Sequence, residues 1–324
     1  MSDNPGTRAV GCTRRDVLKG AAGFAAAGFA AAGAAACSAP GASRGAGPEK
    51  PAARRGRLRQ SVAAWPYEAH WDLDRLCRVA RELGIESVEL VGPEAWPTLA
   101  KHGLTCAISP CGMPDPPFVK GLNNLRHHEE VIAVTKKTID ACADFGAKTV
   151  IAFTGYKWRD PADPTSGEIP PDEGAANCVA GLKELCAYAE KKGVSVAVEI
   201  LNTRVSDHPM KGHPGYQGDH VDYVADIVRR VGSPSAKILF DVYHVQVMDG
   251  DIIRRIRELR DLIGHVHTAG NPGRGEIDAT QEIHYRAVFQ ALADVGYRGF
   301  VGHEFIPTRD PRRGLEEACA LADL

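Results

Sequence analysis

From Leu58 to the C-terminus, short apolar runs alternate with longer stretches in which apolar residues recur every three or four positions. The short runs predict strands at 59–65, 86–92, 105–112, 147–155, 194–202, 236–244, 264–270 and 299–307. Between them lie helical stripes, such as Leu73, Leu76, Val79, Ala80 and Leu83, or Ile252, Ile253, Ile256, Leu259 and Ile263. Eight strand–helix units over about 265 residues have the size and rhythm of a single-domain α/β (β/α)8 TIM barrel, with an open doubly wound sheet as the alternative.

Loop lengths indicate which end of such a barrel works. Helix-to-strand connections are short, as in LGIE (83–86), FGAK (145–148) and KKGV (191–194). Strand-to-helix connections are long at Pro110–His127, Tyr156–Gly174, Thr203–Asp219 and Asn271–His284. All of the long ones gather at the C-terminal mouth, where barrel enzymes carry their chemistry.

Four strands carry a metal-ligating residue type inside an apolar run: Glu199 in VAVEILN, Asp241 in KILFDVYH, His267 in HVHTAG and Glu304 in GHEF. Period-two alternation sends Glu199 inward with Ser195 and Ala197, pairs Asp241 with Leu239 and His267 with His265, and aligns Glu304 with Gly302. Each residue taken alone has a bland reading: Asp241 as a helix cap, His267 as a bonded core histidine, either glutamate as an arginine partner. Together they bring three carboxylates and an imidazole to one mouth, where they repel without a cation. One divalent metal resolves this; hard oxygen donors and one nitrogen favour Mn²⁺ or Mg²⁺, with Co²⁺ or Zn²⁺ also compatible.

The first fifty residues follow no such pattern. TRRDVLK (13–19) ahead of the Ala/Gly-rich run Gly20–Ala36 has the form of a twin-arginine export signal, and is too weakly apolar for a membrane anchor. AAAC (34–37) resembles a lipoprotein cleavage box with Cys37 as the lipidated residue. The expected organisation is therefore a signal at 1–37, a flexible linker at 38–57 and a catalytic barrel at 58–324. The twin-arginine translocase is a partner during export, and the folded domain works outside the cytoplasm, periplasmic or membrane-anchored. Beyond Cys12 and Cys37, the cysteines at 77, 106, 111, 142, 178, 186 and 319 show no CxxC spacing and read as small buried hydrophobes. A net charge of −2 over 324 residues offers no basic face for nucleic acid and favours a small-molecule partner.

VEILN, FDVYHVQVMDGD, GHVHTAGNPGRGEID and GHEFIP resemble hydroxypyruvate isomerase and its relatives in the sugar isomerase/epimerase barrel superfamily. The resemblance implies that Glu199, Asp241, His267 and Glu304 hold one divalent metal and that Glu199 and Glu304 also move the substrate proton. It matches His244 and Arg274 to positions that hold substrate oxygens. His267 stands where hydroxypyruvate isomerases look to have Gln and ketose epimerases have His, which leaves the substrate open. His213, in the loop KGHPGYQ, is a further candidate for closing over substrate; Glu89 in VELVG matches a strand-two acid of the relatives that can stand behind the metal ligands, with a structural role favoured.

Moving a proton beside a carbonyl requires a base and stabilisation of the developing enediolate, which two glutamates and a divalent metal provide. The favoured function is thus a metal-dependent isomerase or epimerase of a small sugar or hydroxy-carbonyl compound. The alternatives are a dehydratase or lyase on the same site, or an exported non-catalytic carbohydrate-binding barrel. Phosphodiester cleavage is disfavoured, since it calls for a multi-zinc cluster and a basic face.

Overall fold

The computed structural model describes residues 56–324. The expected signal with Cys37, and all of the 38–57 linker except Gly56 and Arg57, lie outside the described residues. The strands are β1 (Arg59–Ala63), β2 (Ser87–Glu89), β3 (Thr149–Ala152), β4 (Trp158–Asp160), β5 (Asp163–Glu168), β6 (Ser195–Glu199), β7 (Ala236–Asp241), β8 (Ile263–Thr268) and β9 (Phe300–His303). The helices are α1 (Leu73–Glu82), α2 (Trp96–Lys101), α3 (His128–Phe145), α4 (Pro171–Glu190), α5 (Val221–Val231), α6 (Val242–Met248), α7 (Ile252–Leu259), α8 (Tyr285–Asp294) and α9 (Pro311–Ala322).

Seven strands form one parallel sheet in the order β2-β1-β9-β8-β7-β6-β3. The segment expected as a strand at 105–112 is not one. It still fills the gap between β2 and β3 through single parallel bridges, Ser87 to Thr105 and Ser109 to Val150. A bend at Ala107–Ile108 interrupts the ladder, because the Ala107 amide donates to the Ser87 hydroxyl (2.7 Å) instead of to a neighbouring carbonyl. With this bridged segment in the eighth position the sheet closes into a (β/α)8 barrel, and its helices pack outside.

The sequence explains the local structure. Asp72 caps α1 by accepting from the Arg75 amide, and the apolar stripe of α1 turns Leu76, Cys77, Val79 and Ala80 inward. The stripe read from Ile252 ends earlier than expected: α7 stops at Leu259, and Ile263 opens β8 instead. The loop between β3 and α4 also holds an unexpected antiparallel hairpin of β4 and β5, hidden by the polar sequence DPTSGE. The seven described cysteines are buried and in no disulfide with one another, as their apolar neighbours suggest. Among the described residues no helix is long and apolar enough to cross a membrane.

Register positions the mouth. β7 and β8 pair Leu239 with His265 and Asp241 with His267, so the first pair lies one layer below the second. On the far side of β8, His267 faces Gly302 of β9, one residue before His303 and two before Glu304.

Candidate metal centre and active site

The four residues picked out on successive strands meet. One ligand atom from each of Glu199, Asp241, His267 and Glu304 lies within 4.8 Å of the others, and all four side chains are buried. Glu199 ends β6, Asp241 ends β7 and His267 lies in the last turn of β8's ladder, so period-two geometry alone delivers three of them to one rim.

Asp241 combines both sequence readings. Its Oδ1 accepts from the amides of Tyr243 (2.8 Å) and His244 (3.2 Å), capping α6. Its Oδ2 turns toward the mouth, 3.5 Å from Arg274 Nη2. The helix cap therefore fixes the carboxylate's orientation and leaves one oxygen for the site.

Glu89, read as structural from sequence, reaches the site from β2. Its Oε1 accepts from His265 Nε2 (3.1 Å) and His267 Nε2 (2.9 Å). Burial alone would raise the Glu89 pKa, but the two imidazoles outweigh it and hold the carboxyl at about 2. An ionised carboxylate only accepts, so His267 keeps a proton on Nε2, while Nδ1 faces the other acids; although burial lowers the His267 pKa, the surrounding carboxylates, Glu304 first, raise it well above the ordinary imidazole value. Nδ1 lies 3.0 Å from Glu304 Oε2 and 3.5 Å from Glu199 Oε1. A Cβ on Gly302 would come within 2.0 Å of Glu89 Oε1, so glycine is what lets this carboxylate sit behind His267.

The donor set fits a divalent cation. Three buried carboxylates converge on one imidazole nitrogen whose ring is held from behind by a fourth, Glu89, and the positive charges of His267 and Arg274 do not balance four acids. Burial pushes the Glu199 carboxyl up, with the Glu304 charge adding to it against the pull of His267. Burial likewise pushes Asp241 up against the pull of Arg274. Glu304 goes the other way: His267 and Arg274 overcome its burial and hold it well below the carboxylate range.

The remaining expected residues stand around this cluster. Arg274, at φ 57° in the left-handed region just after Gly273, is buried. Its Nη2 donates to Glu304 Oε2 (2.6 Å), its Nη1 donates to the Met210 carbonyl, and its Nε has no partner. His244 Nδ1 accepts from the Asn202 amide (3.0 Å), which leaves the proton on Nε2, unpartnered and 3.6 Å from Asp241 Oδ2. His213 packs on Phe118 (4.5 Å between centroids), and burial, then the Arg274 charge, lowers its pKa to about 4.

Sequence reasoning missed Trp65, whose indole donates to Glu304 Oε1 (2.8 Å), and Asn202, which orients His244. Nothing in the pattern singles out Trp65, which follows β1 in the short 3-10 turn Trp65–Tyr67.

The family model described as the xylose isomerase-like TIM barrel matches residues 77–323. The chain belongs to that family. It is 30% identical over 261 residues to a 2-oxo-tetronate isomerase of Cupriavidus necator, covering 77% of this chain and 92% of that protein. It is 40% identical over 118 residues to a putative human hydroxypyruvate isomerase, covering 36% of this chain and 40% of that protein. The chain thus spans under half the length of the vertebrate relatives it matches. A Brucella melitensis structure described as an AP endonuclease of family 2 shares the fold of this barrel-family member, with a TM-score of 0.67 at 24% identity, covering 80% of this chain and 97% of that one.

Proposed function

We propose that this barrel is a metal-dependent isomerase or epimerase of a small sugar or hydroxy-carbonyl compound, similar to hydroxypyruvate isomerase, working through an enediolate. The observation that carries the reading is the meeting of Glu199, Asp241 and Glu304 around His267, whose Nδ1 is turned toward them and whose Nε2 is held by Glu89. The similarity to a 2-oxo-tetronate isomerase along most of both chains supports it.

Glu199, Asp241, His267 and Glu304 would hold the ion, Mn²⁺ or Mg²⁺ by donor type. When bound, it supplies Lewis-acid stabilisation of charge developing on the substrate oxygens. The chain's own residues do the rest. Glu304, fixed by Trp65 and Arg274, and Glu199, on the neighbouring rim position, remove and return the proton. His244 Nε2 and Arg274 Nε, two buried donors without partners, hold substrate oxygens. His213 closes one side of the pocket, and its lowered pKa keeps it neutral near pH 7.

The test is solvent deuterium incorporation into candidate ketoses and aldoses, read by NMR on metal-loaded protein. Glu199→Gln and Glu304→Gln should each lose about 10²–10⁴-fold in turnover. Exchange at the wild-type rate in both variants would place the base elsewhere.

We propose further that the mature protein works outside the cytoplasm, on the strength of the paired arginines Arg14 and Arg15 and the run that follows them. Replacing both with Lys should leave folded, uncleaved protein in the cytoplasm. Normal export of that variant would exclude the twin-arginine route.

A further inference from the structure

The barrel carries another cavity at the end opposite its mouth. It measures about 400 Å³ and lies among the first residues of the strands: Arg59 opens β1, Thr149 opens β3 and Phe300 opens β9. Its charged lining is of one sign. Arg59, Lys148 and Arg298 stand around it, and among the described residues no carboxylate lines it. The Arg59 guanidinium is fixed in place, stacked 3.9 Å over the Phe300 ring and bonded through Nε to Glu86 Oε2 (3.1 Å), which lies outside the lining. Lys148 and Arg298 are exposed and have no ion-pair partner among the described residues. A cleft lined by one sign of charge concentrates counter-ions, so this floor attracts anions.

The inner end of the cavity is His265, only 1% exposed. Its Nε2 donates to Glu89 Oε1 (3.1 Å), since an ionised carboxylate only accepts. Its Nδ1 makes no hydrogen bond among the described residues. A buried ring nitrogen without a partner costs free energy unless a ligand or water reaches it. With the proton on Nε2, the neutral ring offers Nδ1 as an acceptor, and the group that complements it is a hydroxyl. The cavity thus asks for negative charge at its rim and a hydroxyl at its inner end, and its volume is that of a small-molecule site.

We propose that the barrel floor binds a hydroxyl-bearing phosphate ester, its phosphate among Arg59, Lys148 and Arg298 and a hydroxyl at His265 Nδ1. The same chemistry occurs in a free polyol or sugar phosphate and in a glycerol-phosphate lipid headgroup. The expected linker ends at Arg57, two residues before β1, and so meets the barrel at this face.

Glycerol 3-phosphate and propyl phosphate, alike in length and different in hydroxyls, are titrated by calorimetry into the full chain freed of divalent ions, so that the mouth offers the phosphate no metal. Glycerol 3-phosphate should bind more tightly by about 3–10-fold, the worth of one hydrogen bond, and should move the His265 ring signals in NMR spectra. The double variant Lys148→Ala, Arg298→Ala, changed only at exposed positions, should bind it about 3–20-fold more weakly. A second arm sediments both proteins with phosphatidylglycerol and with phosphatidylcholine vesicles. Sedimentation with phosphatidylglycerol that the double variant loses assigns the site to the lipid headgroup, and ester binding without it assigns the site to a free ester. Undiminished binding of glycerol 3-phosphate by the double variant, equal affinity for the two esters, unmoved His265 signals at saturation, or no binding to ester or vesicle overturns the proposal.

Discussion

Glu89 Oε1 lies 2.9 Å from His267 Nε2, on the opposite side of the imidazole from the three carboxylates of the mouth. This one contact fixes which nitrogen is free to bind. A residue of β2 thereby sets the donor character of a residue of β8. Replacing Glu89 with Leu should weaken divalent-metal affinity by about 10–100-fold, the range for partners that orient a metal-bound histidine. Gly302→Ala, which drives a Cβ into Glu89, should do the same and lower stability as well. Unchanged Mn²⁺ affinity in Glu89→Leu, measured by competition with a fluorescent chelator, would remove Glu89 from the site.

Metal and stability should be coupled with a reversal of sign. In chelator, Glu199 is a buried carboxyl pushed up by burial, so Glu199→Gln relieves an unfavourable charge and should stabilise the protein by roughly 1–3 kcal/mol. In saturating Mn²⁺ the same variant should be less stable than wild type, because it binds the ion more weakly. Thermal melts under the two conditions decide it; a shift of one sign in both would show that Glu199 does not help hold the ion.

Acid should destabilise the fold through His213 and His244. The His213 pKa falls to about 4 through burial and the Arg274 charge, and the His244 pKa is also lowered, by burial first. An unfolded chain takes up these protons below pH ~6.5 while the folded one does not, so stability falls as pH drops from 6.5 toward 4. His213 alone would account for up to about 3 kcal/mol of that loss. Urea unfolding at pH 7.5 and 4.5 should show a smaller loss in His213→Leu than in wild type. An identical loss in both proteins would mean that His213 is protonated in the fold.

The barrel was legible because alternating periods of two and 3.6 mark its strands and helices, and the mouth because Glu199, Asp241 and His267 interrupt apolar strands at matching heights. The misreadings have local causes. Thr105–Ser109 reads as a strand because of its apolar centre, Cys106–Ile108, yet the hydroxyl of Ser87, distant in sequence, takes the amide a ladder needs. Asp163–Glu168 pairs as a strand although its composition is that of a loop. For Glu89 the structural reading was favoured over a place behind the ligands because its partners, His265 and His267, lie 176 and 178 residues away. Trp65 was invisible for the same reason: its bond to Glu304 spans 239 residues. Periodicity reports the face a side chain takes, but contacts across the barrel come from closure of the sheet.

Asp241 offers a way to separate holding the metal from holding the helix. Asp241→Asn keeps an oxygen that can cap α6 but removes the charge, whereas Asp241→Ala removes both. Both variants should lose metal, and only Ala should show an additional loss of about 1 kcal/mol in chelator, the usual worth of an N-cap. Equal stability of the two variants in chelator would show that the cap contributes nothing.

Whether Glu199, Asp241, His267 and Glu304 hold one divalent ion is tested most directly by counting it. The purified chain, loaded with Mn²⁺ and freed of excess, is assayed by elemental analysis beside Asp241→Ala and His267→Ala. The expected result is about one tightly held ion per wild-type chain and a loss of most of it in each variant. Full retention in both variants, or no tightly held ion in wild type, would contradict the site.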